Sequence, residues 1–179
     1  MNILSNERSH DSRAVANYIL EKSRIKNKGV DCLTVMHLLK LVYFAHGWSL
    51  ADSDTPIVEQ SPKAWLYGPV YIEIYNPLSK FGTKPIKTLI VDKESNIPYG
   101  CELSDNQKRV IDFVLTKYGN IDPLKLSQIT HEKNSPWDMV IKALGKYSEI
   151  DNDVIQRYYK KQKINRDYAM DIECNSRDE

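Results

Sequence analysis

The chain has 179 residues, with 25 Lys and Arg against 24 Asp and Glu for a net charge of +1, 41% hydrophobic and 27% charged residues, and three cysteines. A chain of that length fits one domain that buries about 68–70% of its unfolded surface without staples. Balanced charge removes the surplus of Lys and Arg on which phosphate binding rests, and Cys32, Cys101 and Cys174, odd in number and far apart, suggest neither a disulfide framework nor a zinc site and point to a reducing cytoplasm.

Met1 to Asp11 has no apolar core of a signal peptide. The longest apolar run, Val35 to Phe44, is interrupted by His37 and Lys40 and falls short of the roughly 20 residues that span a bilayer. Residues 1–10 are expected to be a flexible leader, 11–164 the folded domain, and 165–179 a polar, flexible tail.

The spacing of Val15, Tyr18, Ile19 and Lys22 predicts a helix from Asp11 to Asn27, with Gly29 at its C-cap. Thr34 is placed to cap a central helix whose apolar residues, Val35 to Trp48, surround the axis and leave a narrow polar strip at His37, Lys40 and Gly47. Asp52 to Pro56 spells a turn, and Ile57 to Tyr67 reads as extended. Gly68-Pro69 is expected to start a helix that Asn76-Pro77 ends or kinks. Thr83 to Tyr99 suggests a second short strand paired with the first. Ser104 with Gln107 forms a capping box before the stripe Val110, Ile111, Val114, Leu115 and Tyr118. Asp122-Pro123 and Ser135-Pro136 each begin a short helix, and Asp151 caps a last one holding Val154, Ile155, Tyr158 and Tyr159. The predicted fold is mainly α with a small β element: a compact single-domain helical α+β fold around a buried central helix, with a short two- or three-stranded sheet.

Chemistry is sparse. His131, Glu132 and Ser135 invite a hydrolase reading, yet a helix C-terminus accounts for His131 and a helix cap for Ser135. His37 and His46 are nine residues apart, about 180° around a helix, and cannot share a metal ion; His46 reads as a core histidine satisfied by a hydrogen bond. No glycine-rich phosphate loop occurs, so neither a cofactor nor a metal is expected. The one basic patch, Arg157, Lys160, Lys161, Lys163 and Arg166 among tyrosines, offers regulatory nucleic-acid binding as an alternative. Large side chains with no assigned cover are the better functional signal: Trp65, Tyr67, Tyr71, Ile72 and Tyr75 in one segment, Phe113 opposite a buried stripe, and Tyr158 and Tyr159 near the end are the candidate partner-binding residues.

Three strings lie in order along the chain: Thr34-Val-Met-His-Leu-Leu-Lys-Leu-Val-Tyr-Phe-Ala-His-Gly-Trp48, Ala64-Trp-Leu-Tyr-Gly-Pro-Val70, and Leu126-Ser-Gln-Ile-Thr-His-Glu132 with Ser135-Pro-Trp137. Together they resemble the Panacea antitoxin domain family, also described as SocA-like or phage-associated GepA-like proteins, over about residues 11 to 163. Tyr43, His46, Gly47, Trp48, Gly68, Pro69, His131, Ser135, Pro136 and Trp137 carry the motif and are assigned to folding. Where such proteins usually have Lys and Gln in the central helix, this chain has His37 and Leu39. The resemblance implies a cytoplasmic, non-enzymatic antitoxin of a bacterial or prophage pair that binds a cognate toxin encoded nearby, with delivery to a ClpXP-type protease as one route.

Overall fold

The fold is organised around one helix, α2 (Val35–Ser53), in which every residue except Met36, Asp52 and Ser53 is buried. The structure, a computed structural model, describes residues 7–175, those from 167 onward as helix backbone alone. Around α2 pack α1 (Ser12–Lys26), α4 (Asp105–Tyr118), α5 (Pro123–Thr130) and, along its length, α7 (Asn152–Asn175). The hairpin β1 (Lys63–Trp65) and β2 (Gly68–Val70), the short helix α3 (Ile72–Leu78) with a 3₁₀ turn at Ser79–Phe81, and α6 (Pro136–Leu144) complete the described elements. The fold is thus mostly helical with one small antiparallel sheet, as the apolar periodicity predicts.

Local chemistry sets the helix starts. Asp11, Thr34, Asp122 and Ser135 each accept a backbone N–H of the first turn through their side chains, and Ser104 and Gln107 form both bonds of the capping box, at 3.1 and 3.0 Å. Each such cap is worth about 1 kcal/mol. At the end of α1 the left-handed residue after the cap is Lys28, with φ of 55°, and Gly29 follows it; its N–H reaches the Arg24 carbonyl at 2.7 Å.

Four expectations are corrected. The polar strip on α2 does not exist, because His37, Lys40 and Gly47 are all buried under neighbouring elements. Gly68-Pro69 does not begin a helix: Gly68 has a φ of 97°, Pro69 pairs with Ala64 in the sheet, and α3 starts only after Tyr71. Thr83 to Tyr99 does not form the second strand, since β1 takes β2 as its partner. In that segment the buried Asn17 side chain does the pairing, donating to the carbonyls of Ile90 and Tyr99 and accepting the Ile90 N–H, with only a Val91–Pro98 bridge beside it. Of the expected leader, residues 7–10 are held: His10 is buried, bridges Val58, and meets Gln107, whose amide also donates to the Arg8 carbonyl. Residues 1–6 of that leader and 176–179 of the expected tail lie outside the described residues, while α7 carries the backbone through the first part of that tail.

Candidate functional site

The two-residue tip of the hairpin, Leu66-Tyr67, projects from the surface with each side chain 57% exposed. Its backbone is held from three sides. The carbonyl of Trp65 accepts the Trp137 indole N–H of α6 at 2.8 Å, that of Tyr67 accepts the Ser127 hydroxyl of α5 at 2.9 Å, and that of Pro69 accepts the Lys40 ammonium of α2 at 3.0 Å. On the other edge of β1, Ala64 gives its N–H to Ser148 and takes the N–H of Tyr147. Both polar groups of Ala64 therefore face residues 147–148, so its sheet partner Pro69 needs no N–H there.

Gly68 makes the clamp possible. A β-carbon at Gly68 would sit 2.4 Å from Thr130 Oγ1 and 2.9 Å from Lys40 Nζ, and its left-handed φ is one that side-chain-bearing residues rarely adopt.

Beside the hairpin lies a groove of about 420 Å³. Its walls are Met36, Trp65, Leu66, Tyr67, Tyr75 and Tyr147, and Val35, Leu39, Lys40 and Val70 come from the elements beneath. Trp65 packs edge-on against Tyr75 at 5.0 Å and Tyr147 at 5.9 Å, and Tyr147 is 64% exposed. Lys40 is only 1% exposed, and burial pulls its ammonium down to about 7 from the usual lysine range.

The Antitoxin SocA-like, Panacea domain profile matches residues 38–138. The chain is also similar to Antitoxin SocA of Caulobacter vibrioides (strain NA1000 / CB15N), at 31% identity over 166 residues, 87% of this chain and 86% of that relative. The chain belongs to the SocA-like Panacea family. No solved structure matches it. The Panacea span holds Lys40, Ser127 and Trp137, the three side chains that grip the hairpin, whereas Tyr147 and α7 lie beyond it.

The structure gathers Trp65, Tyr67 and Tyr75 at the groove and scatters the other candidates. Tyr71 is fully buried, with its ring 6.4 Å from that of His46, and Tyr159 is buried against Tyr43 and Trp48, so neither is presented at the surface beside the hairpin. Phe113 is half-buried, packed against Trp48 at 5.3 Å and covered by Lys117 and Arg166. Ile72 is half-buried on α3, outside the groove lining. Tyr158, half-buried, donates to Glu132 at 3.1 Å and has its hydroxyl pushed up to about 12, mainly by burial. Sequence reading missed Met36, Leu66 and Tyr147. Leu66 follows from the turn geometry, but no local signal brings Tyr147 to β1.

His46, His131 and Ser135, which the resemblance assigns to folding, sit in the scaffold. His46 is fully buried; its Nδ1 accepts the Val58 N–H at 3.3 Å, so Nε2 carries the proton and donates to Asn152 at 2.7 Å. Burial holds it neutral, with its pKa down at about 4. His131 stacks on Trp137 at 3.8 Å, and burial together with the nearby Lys40 charge lowers its pKa. Ser135 is buried, donating to the Thr130 carbonyl at 2.7 Å while capping α6, and Glu132 accepts from Tyr158. His131, Glu132 and Ser135 are therefore engaged separately and form no nucleophile–base pair.

On α7, Lys160 pairs with Asp54 and Lys163 with Asp52, while Arg166 lies over Trp48 and Phe113. Acids at the end of α2 thus neutralise part of the expected basic patch. Among the described residues no cluster of His, Cys, Asp or Glu could hold a metal ion, and no helix is long and apolar enough to cross a membrane.

Proposed function

We propose that this protein is the antitoxin of a toxin–antitoxin pair and neutralises a cognate toxin protein by direct binding through the hairpin groove. Membership of the SocA-like Panacea family supports the role. One observation supports the place: exposed Leu66, Tyr67 and Tyr147 surround a preformed cleft whose backbone three helices hold rigid. Large side chains presented on a fixed frame lose little freedom on association, which is the usual character of interface anchors.

Co-expression with the neighbouring reading frame tests the reading. That product alone should arrest growth, this chain should relieve the arrest, and the two should copurify. A product harmless by itself, or one still toxic beside this chain, refutes the proposal. Following the abundance of the neutralised toxin separates blocking, which leaves it constant, from delivery to a ClpXP-type protease, which depletes it.

A further inference from the structure

The groove contains a charge that folding leaves unanswered. Lys40 has three N–H donors, of which one is spent on the Pro69 carbonyl. None of the eight ion pairs among the described residues includes Lys40, and no acidic group raises its pKa against the depression that burial causes. His131, whose pKa the Lys40 charge helps to lower, offers no negative charge. A second donor in the same wall, the Trp65 indole N–H, is buried without a hydrogen-bond partner. Buried ammonium groups ordinarily sit beside a carboxylate, because desolvation penalises an isolated charge. This one lines a cleft open to solvent and bordered by apolar side chains.

We propose that the groove receives an aspartate or glutamate side chain of the partner protein, carried on a segment with apolar neighbours, with Lys40 and the Trp65 indole N–H as its donors. The carboxylate supplies the missing counter-charge, and the flanking apolar residues pack against Leu66, Tyr67 and Tyr147. This deepens the antitoxin reading, on which it rests for the identity of the partner.

Two peptides test the chemistry without the toxin: N-acetyl-Leu-Glu-Leu-amide and its Gln counterpart, titrated into the full chain and followed by the indole N–H signals in nuclear magnetic resonance. The Glu peptide should bind about tenfold more tightly than the Gln peptide, the increment of a charge-assisted hydrogen bond. Lys40→Met should abolish that preference. Leu66→Asp, an exposed substitution that leaves the interior untouched, should weaken both peptides by removing an apolar contact and the Glu peptide further by repulsion, so that the preference shrinks. Equal binding of the two peptides, no binding of either, or a preference that survives in Lys40→Met overturns the proposal. In cells, a Lys40→Met chain that neutralises the toxin as well as wild type overturns this inference and leaves the antitoxin reading intact. A wild-type chain that fails to neutralise, yet prefers the Glu peptide, does the reverse.

Discussion

The ring of Tyr159 occupies the space that a side chain on Gly47 would need: a β-carbon there would lie 2.3 to 2.6 Å from three of its ring atoms. This is the close approach that seats α7 on α2. Gly47→Ala should gain up to about 1 kcal/mol of helix propensity and lose more to overpacking of a buried ring, for a net loss of about 2 kcal/mol in urea denaturation. In a Tyr159→Ala background the same substitution should become neutral or stabilising. Additive effects in the double variant would refute the contact as the cause.

His46 makes stability depend on acid. Its folded pKa is about 4 against the ordinary 6.5, so between those values the unfolded chain binds a proton that the folded chain refuses. Stability is therefore complete above pH 6.5 and falls as the pH drops towards 4, by about 3 kcal/mol for this group. His46→Gln, unable to titrate, should show a correspondingly shallower loss. Parallel pH profiles for the two proteins would contradict the assignment.

Lys40 acts at the other end of the scale. With a folded pKa of about 7 against 10.5, the unfolded state holds the extra proton between those limits, and stability rises with pH across that window. Relative to Lys40→Met, the wild type should gain about 4 kcal/mol between pH 7 and 10.5, measured by denaturant unfolding at each pH. The comparison cancels the titration of the buried tyrosines, and a constant difference would mean that the amine is solvated.

At the groove, fold and binding should separate. Tyr67→Ser and Tyr147→Ser alter exposed side chains and should change stability by no more than about 0.5 kcal/mol. Each should weaken capture of the toxin by about tenfold or more if these residues are anchors. Tyr71→Ser should instead destabilise the fold. Calorimetry of the copurified pair, with thermal melts of each variant, distinguishes the two behaviours.

Asn17 replaces a strand with one side chain, making three hydrogen bonds to the Ile90 and Tyr99 backbone. Asn17→Ala should cost about 3 kcal/mol and speed amide exchange at Ile90. Unchanged protection there would place the hold on this segment elsewhere.

These residues also mark what the sequence makes readable. Thr34, Ser104, Asp122 and Ser135 are legible because a cap needs only a side-chain oxygen and the next turn of backbone. The central helix is legible because apolar residues surround it. Gly68-Pro69 is ambiguous in isolation, since proline suits both a first helical turn and a sheet position that needs no donor. The choice is made by Ala64 turning its polar groups to residues 147–148 and by Lys40 taking the Pro69 carbonyl, all distant in sequence. The sequence likewise offers Tyr71 and Tyr159 as large side chains with no assigned cover, because the elements that bury them are distant in the chain. The groove depends on Tyr147 reaching β1 across 82 residues, so only part of it, the Trp65 to Tyr75 segment, is visible beforehand.

The three side chains that grip the hairpin, Lys40, Ser127 and Trp137, all take main-chain carbonyls, at positions 69, 67 and 65. The identities of residues 66 and 67 are thereby freed from the task of shaping the loop. New side chains can be tried at that tip while the frame stays put, so recognition of a different target is open to changes of a few codons.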